Sequence, residues 1–385
     1  MAAVRHVLPT FVALGLLAPA ACNKEQTPSE NPTADSGAPP VGDADGGADE
    51  GGIAEANGPV AVLDPNPGED HFVKLTQLTN GGENAEAYLS TDESQLVFQS
   101  KREGMKCDQI FTMTLDGADV TRVSNGKGRT TCSYFLPGDE KILYASTHGA
   151  ADDCLPEPDR SHGYVWKLYD EFDIYVSNAD GSDPQPLITG PGYDAEATIS
   201  PTGDKLVFTS TRDGDPEIYS ANIDGTDIKR LTNSKGYDGG PFFSLDGTKI
   251  VYRANHPEGK DEEAKYDEII KEGLVRPTRL ELFVMDADGS NKKQITDNGK
   301  ANFGPFFHPD GQRIIFATNL GDERGRDFDL YIIGVDGKNL EQVTHNPTFD
   351  GFPMFTRDGK HLVFASNRNN AAEGDTNVFI AEWKD

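Results

Sequence analysis

One apolar segment recurs six times along this chain: QLVFQS around Phe98, KILYAS around Tyr144, KLVFTS around Phe208, KIVYRA around Tyr252, RIIFAT around Phe316 and HLVFAS around Phe364. Self-similarity at a period of tens of residues means a stack or ring of equivalent small units, each covering its neighbour's apolar face. The intervals between the aromatic residues are 46, 64, 44, 64 and 48, so units two and four carry an extra stretch of nearly equal length.

Each unit reads as four short strands. The repeated segment is followed by a second apolar strand, seen in QIFTMT, DIYVSN, EIYSAN, ELFVMD, DLYIIG and NVFIAE. In five units an Asp-Gly turn follows, at Asp116, Asp180, Asp224, Asp288 and Asp336, and then an outer strand ending in RVS, PLIT, RLT, QIT or QVT. Asp-Gly tolerates the positive φ of a tight hairpin. A calcium-loop reading of NADGSD and DADGSN fails for want of a Glu twelve positions on and of flanking helices. A further strand and turn precede each repeat, as in ATISPTGDK and PFFHPDGQR. Four antiparallel strands per repeat of roughly 45 residues make a propeller blade. The sixth unit ends at Trp383-Lys384-Asp385 without an outer strand, while Val73 to Thr79 (VKLTQLT) precedes the first unit and matches the outer-strand pattern. The expectation is noncovalent ring closure, which removes open sheet edges.

Stretches such as ISPTGDKLVFTSTRDGDPEIYSANIDGTDIKRLT resemble the PD40 repeats of the TolB-like six-bladed propellers, over about residues 71–385. The fold expected is therefore all-β: a six-bladed β-propeller closed by an N-terminal outer strand, with two long insertions on one face. The resemblance implies binding proteins, peptidase gating domains or a few metal-dependent lyases. The chain departs from the family's namesake in its N-terminal part, where a tether stands in place of a small folded domain.

That part begins with Arg5 and His6, an apolar run from Val7 to Leu17 and the small residues Ala18-Pro19-Ala20-Ala21 before Cys22. The layout is that of a secretory signal, too short for a membrane span. Small residues directly before Cys resemble a bacterial lipobox, with Pro19 where Leu is usual, so residues 1–21 read as signal peptide and Cys22 as a lipidated N-terminus. A plain signal peptide cut near Ala21 is the alternative. Asn23 resembles the residue found after the lipidated Cys in outer-membrane lipoproteins. Residues 22–70 are rich in Pro, Gly, Ala and acid and cannot bury enough to fold. They read as a flexible tether spanning about 35–42 Å. The location expected is the bacterial envelope, at the outer membrane facing periplasm or cell surface. The formal net charge of −29 repels phosphate backbones and argues against nucleic acid.

The insertions fall on one end of the propeller: HGAADDCLPEPDRSHGYVWKLYDEF in unit two and HPEGKDEEAKYDEIIKEGLVRPTR in unit four. Loops beyond about 12–15 residues are usually lids or binding elements. Within the second, 261–272 has the spacing of a short amphipathic helix. Aligning the loops that lead into the first strands gives Asn84, Thr130, Asp194, Asp238, Asn302 and Asp350, with Glu86 and Glu196 two residues on. The loops leaving the second strands give Arg102, His148, Arg212, His256, Leu320 and Arg368. With Trp166 of the first insertion, these acids, amides and cations are candidates to clamp a peptide or glycan. Turn capping and bridging between blades is the competing structural role. Of Cys107, Cys132 and Cys154, one pair is expected to form a disulfide, and Cys154 in the insertion is the adaptable partner. No finger-like Cys/His spacing suggests zinc.

The reading favoured by the sequence is a monomeric, non-catalytic, lipid-anchored propeller that binds an envelope protein, peptide or glycan at its decorated face, with no cofactor and no metal. The alternative is a metal-dependent lyase or hydrolase acting on a polysaccharide or peptide through His148, His256 and His162 near Glu196. No G-x-S-x-G, H-E-x-x-H or Gly-rich phosphate loop is present.

Overall fold

A computed structural model describes residues 61–102 and 104–385. The signal segment 1–21, Cys22 and the tether up to residue 60 lie outside the described residues. Six antiparallel sheets follow one another. In the first, Glu83–Leu89, Gln95–Lys101, Gln109–Thr114 and Thr121–Arg122 run in order from the innermost strand outward. The same order repeats from the innermost strands Thr130–Phe135, Asp194–Ile199, Tyr237–Phe243, Asn302–Phe307 and Asp350–Phe355.

The repeated segments are second strands, and their central three residues are apolar without alternation because both faces of each blade are covered by neighbours. In Lys205–Ser210 every residue after the first is buried. The six marker aromatics sit directly opposite a second aromatic on the third strand: Phe98 with Phe111, Tyr144 with Tyr175, Phe208 with Tyr219, Tyr252 with Phe283, Phe316 with Tyr331 and Phe364 with Phe379. Ring centroids lie 5.6–6.4 Å apart in these pairs. Each pair adds about 0.5–1.5 kcal/mol beyond its buried area. The Asp-Gly pairs are hairpin turns, as expected. At Gly181 φ is +84° and a Cβ would come within 2.1 Å of the Val123 carbonyl oxygen, so this turn requires glycine and seats one blade on the next.

Ring closure follows the sequence reading. Phe72–Gln77 pairs antiparallel with Asn377–Trp383 as the fourth strand of the last blade. The ordered chain also reaches back into the segment assigned to the tether. Val62–Leu63 adds a fifth strand outside Phe72–Gln77, and Glu69 is fully inside the protein.

The helix expected at 261–272 is Gly259–Ile270, with Tyr266 and Ile269 buried beneath it. The two insertions also contact each other. Trp166–Lys167 pairs with Leu274–Val275 as a small separate sheet. Among the described residues no helix is long and apolar enough to cross a membrane.

Candidate binding site: the axial channel

Every innermost strand carries one extra residue relative to its partner, and at the bulge the backbone enters the left-handed region. The residues are Glu86, Cys132, Glu196, Gly240, Gly304 and Phe352, with φ between 51° and 60°. A bulge re-aims the side chain it carries. Here it places Glu86, Cys132 and Glu196 together at one level of the channel. Four of the six positions hold non-glycine residues in a conformation such residues seldom adopt, a form of strain that clusters at functional positions.

At this level Glu196 accepts hydrogen bonds from Thr209 Oγ1 at 2.7 Å and the Gly240 N–H at 2.9 Å, and it forms an ion pair with Arg253. Arg253 also donates to the Tyr237 hydroxyl at 3.0 Å. A Cβ at Gly240 would stand 2.4 Å from Arg253 Nη1, so a larger residue there would displace the guanidinium. Glu86 keeps some surface toward the channel lumen but is removed from bulk water. Burial pushes its carboxyl up to about 7, and the charge of Glu196 adds to the effect. Burial, then Glu86, likewise drive the Cys132 thiol well above its ordinary value, so this free cysteine is a poor nucleophile.

Arg253, Tyr237 and Cys132 were not among the expected binding residues, although the repeat carries a signal for the first. The residue after the marker aromatic is Gln99, Ala145, Thr209, Arg253, Ala317 or Ala365. The three polar members of this series contact the bulge residues: Gln99 accepts from the Cys132 N–H at 3.0 Å, while Thr209 and Arg253 bind Glu196.

The expected ring of acids, amides and cations takes a different form. Asn84, Thr130, Asp194, Asp238, Asn302 and Asp350 are all essentially inaccessible, and they pair within or between blades. Arg212 donates to Asp194 at 2.9 Å and Arg368 to Asp350 at 2.7 Å. His256 lies 3.1 Å from Asp238, and Arg102 donates to Asn84 at 3.3 Å. His148 contacts Ser146 at 2.8 Å, which contacts Thr130 at 2.9 Å. Asn302 and Asn298 exchange hydrogen bonds of 3.1 Å. The same cations and imidazoles cover the aromatic pairs: Arg102 lies 5.1 Å from the Phe111 ring centroid, Arg212 5.2 Å from Tyr219, and His148 4.1 Å from Tyr175. These side chains join strands and seams where the sequence suggested an open clamp. The physical reason is that their strands begin inside the blade contact, so only the bulge residue two positions on turns to the axis.

The metal reading brought His148, His256, His162 and Glu196 together. In the structure each has different neighbours, with His162 beside Glu272 at 3.6 Å, and among the described residues no three His, Cys, Asp or Glu side chains are grouped to hold a metal ion.

The insertions close the channel at their own end. Trp166 lies over Arg253 at 5.3 Å and beside Phe303 at 5.2 Å. The space it leaves against Tyr237, Val275 and Leu280 is too tight for a water molecule. The disulfide joins Cys107 of the first blade to Cys154 of the first insertion. Tyr266 of the helix donates to the Gly236 carbonyl at 2.7 Å, with Asp215 Oδ1 3.1 Å from the same hydroxyl.

The opposite end is open. Two residues beyond each bulge the inner strands present Tyr88, Tyr134, Thr198, Phe242, Phe306 and Met354. Tyr88 contacts Tyr134 and Phe242 with centroids at 5.6 and 5.4 Å, and Phe242 contacts Phe306 at 5.8 Å. Most of this ring lines a funnel with about 90 Å³ of free room.

Residues 157–267 match the PD40 family model, described as the TolB beta propeller domain. No curated protein matches the chain in sequence. Among solved structures, a putative TolB from Agrobacterium tumefaciens superposes with a TM-score of 0.50 at 17% identity, over 79% of this chain and 91% of that one. TolB from Acinetobacter baumannii gives 0.51 at 16% identity, over 79% and 64%. A gluconolactonase from Xanthomonas campestris gives 0.55 at 12% identity, over 87% and 100%. At such identities the likeness is one of fold, shared by proteins of different function.

Proposed function

We propose, on the premise of a six-bladed β-propeller fold like that of TolB, that this is an exported, lipid-anchored envelope protein whose propeller captures a protein partner without catalysis. One observation carries the reading: the insertions seal the axial channel at their own end, while the other end stays open as an aromatic funnel. An apolar concavity with a few polar groups is a binding geometry. The polar cluster beneath the lid is paired within itself. Its thiol is held protonated, and its arginine is already paired with Glu196. The proposed partner surface is thus the end opposite to the insertions, and the insertions serve as a plug.

Lipidation at Cys22 is supported by the small residues before it and the fold-incompetent composition after it. In cells fed labelled palmitate, the protein should take up label and Cys22→Ser should not. A photo-crosslinking side chain at Thr91, on the funnel rim, should yield a discrete adduct with an envelope protein, and one at Tyr164, on the lid, should not. Adducts from Tyr164 alone would reverse the assignment of faces. None from either position would remove the binding reading.

A further inference from the structure

The funnel has a chemical asymmetry. Seven residues after the start of each inner-strand motif, the rim positions are Thr91, Pro137, Pro201, Leu245, Pro309 and Arg357. Five are uncharged and one is a cation, and the carboxylate of Glu93 also lines the funnel. The backbone N–H of Arg357 is held by Glu93 at 2.6 Å, yet among the described residues its guanidinium has no hydrogen-bond or ion-pair partner. The hydroxyl of Tyr134, in the aromatic ring below, also has none. Both side chains line the funnel; burial pushes the hydroxyl up to about 12, with the Arg357 charge pulling the other way. The phenol therefore stays protonated as a donor at any physiological pH.

Resting on the reading above, we propose that the funnel receives the C-terminus of a partner polypeptide that ends in a bulky apolar or aromatic residue. The terminal side chain enters the cup of Tyr134, Phe242, Phe306 and Met354, and the α-carboxylate takes hydrogen bonds from Arg357 and the Tyr134 hydroxyl. Arginine matches a carboxylate with paired N–H donors, and methionine lets an apolar cup adapt to the side chain it receives. The chain's net charge of −29 disfavours anions at long range, so selection has to come from these short-range donors. The shape of the cup favours a single side chain over a fatty acid. About 6–7 Å deeper along the inner strands lies the polar layer of Glu86, Cys132 and Glu196, and an extended alkyl chain would have to end against it.

The test uses the full-length protein in detergent and three probes: fluorescein-labelled GSGSGSLF with a free C-terminus, the same peptide as C-terminal amide, and decanoate as competitor. The free acid should bind, the amide about tenfold or more weakly, and decanoate should compete poorly. Arg357→Ala should weaken the acid by a similar factor and leave the amide unchanged. Because Arg357 is exposed, this variant should melt like the parent. Equal binding of acid and amide, no binding of the acid, an unaffected Arg357→Ala variant, or decanoate outcompeting the peptide would each overturn the assignment. If the Thr91 adduct forms in cells while the acid peptide fails, the envelope-partner reading stands and only the C-terminus assignment falls.

Discussion

Arg368 and Glu69 lie 299 positions apart in the chain and meet through two charge-assisted hydrogen bonds of 3.1 and 3.0 Å. Arg368 also donates to Asp350 at 2.7 Å, and Glu69 further accepts the N–H of Asn66 at 2.7 Å and of His345 at 3.1 Å. The group locks the segment before the closing strand against the fifth and sixth blades. All three charged side chains are nearly inaccessible.

Removing the shared cation should be much worse than removing one anion. Arg368→Ala leaves two buried carboxylates without it and should cost about 3–5 kcal/mol. Glu69→Gln keeps shape and most hydrogen bonding and should cost about 1–3 kcal/mol. Urea unfolding of the two variants checks the order, and a smaller loss in Arg368→Ala would contradict the account.

Ring closure by Phe72–Gln77 gives a second test. Leu75 of that strand is fully buried, so Leu75→Ala should lose about 2–5 kcal/mol. A chain beginning after residue 79 should expose the free edge of Asn377–Trp383 and self-associate. Light scattering reads this directly, and a monomeric truncation with the parent's melting temperature would refute noncovalent closure.

Stability should fall as pH rises from about 4.5 through 7. Burial raises Glu217 to about 7, and burial with the neighbouring Asp350 raises Asp329 to about 7; Glu86 is raised likewise. A carboxyl raised in the folded state binds its proton more tightly there than when unfolded. Its contribution is complete below the unfolded value and is lost as pH climbs through the folded one. His148 and His308, lowered by burial, act in the opposite sense, so the comparison needs a variant. Glu217→Gln should flatten the decline between pH 5 and 8, measured by urea titration at each pH. An unchanged slope would show that the seam carboxyl does not hold its proton.

The lid depends on the bond between Cys107 and Cys154, which encloses a 47-residue separation. Cys154→Ser should cost about 2–4 kcal/mol and speed proteolysis within 149–165 before the blades are cut. Iodoacetamide should label Cys132 slowly in the parent and faster in Trp166→Ala, where the ring over Arg253 is gone. Equal labelling rates would mean that the insertions do not control access to the channel.

The amino-acid sequence by itself determined the blade count, the strand order within each blade, the closing strand and the position of both insertions. Those features rest on short-range periodicity and turn chemistry, repeated six times, so each copy checks the others. The marker aromatics from Phe98 to Phe364 could be placed on second strands because every one had the same neighbours.

The tertiary structure alone decided which side chains face which. Asp194, Asp238 and Asp350 look like a ring of exposed acids in an alignment of loops, but the blade seams bury them against Arg212, His256 and Arg368. One inserted residue per inner strand sends Glu86, Cys132 and Glu196 to the axis, and a shift of one position turns a strand's side chains to its other face. The meeting of Trp166 with Val275, across two insertions about a hundred residues apart, likewise follows from ring geometry. So does the choice of Cys107 as partner of Cys154. Periodicity is local and survives in a linear string, whereas contacts across an axis or a seam exist only once the ring has closed.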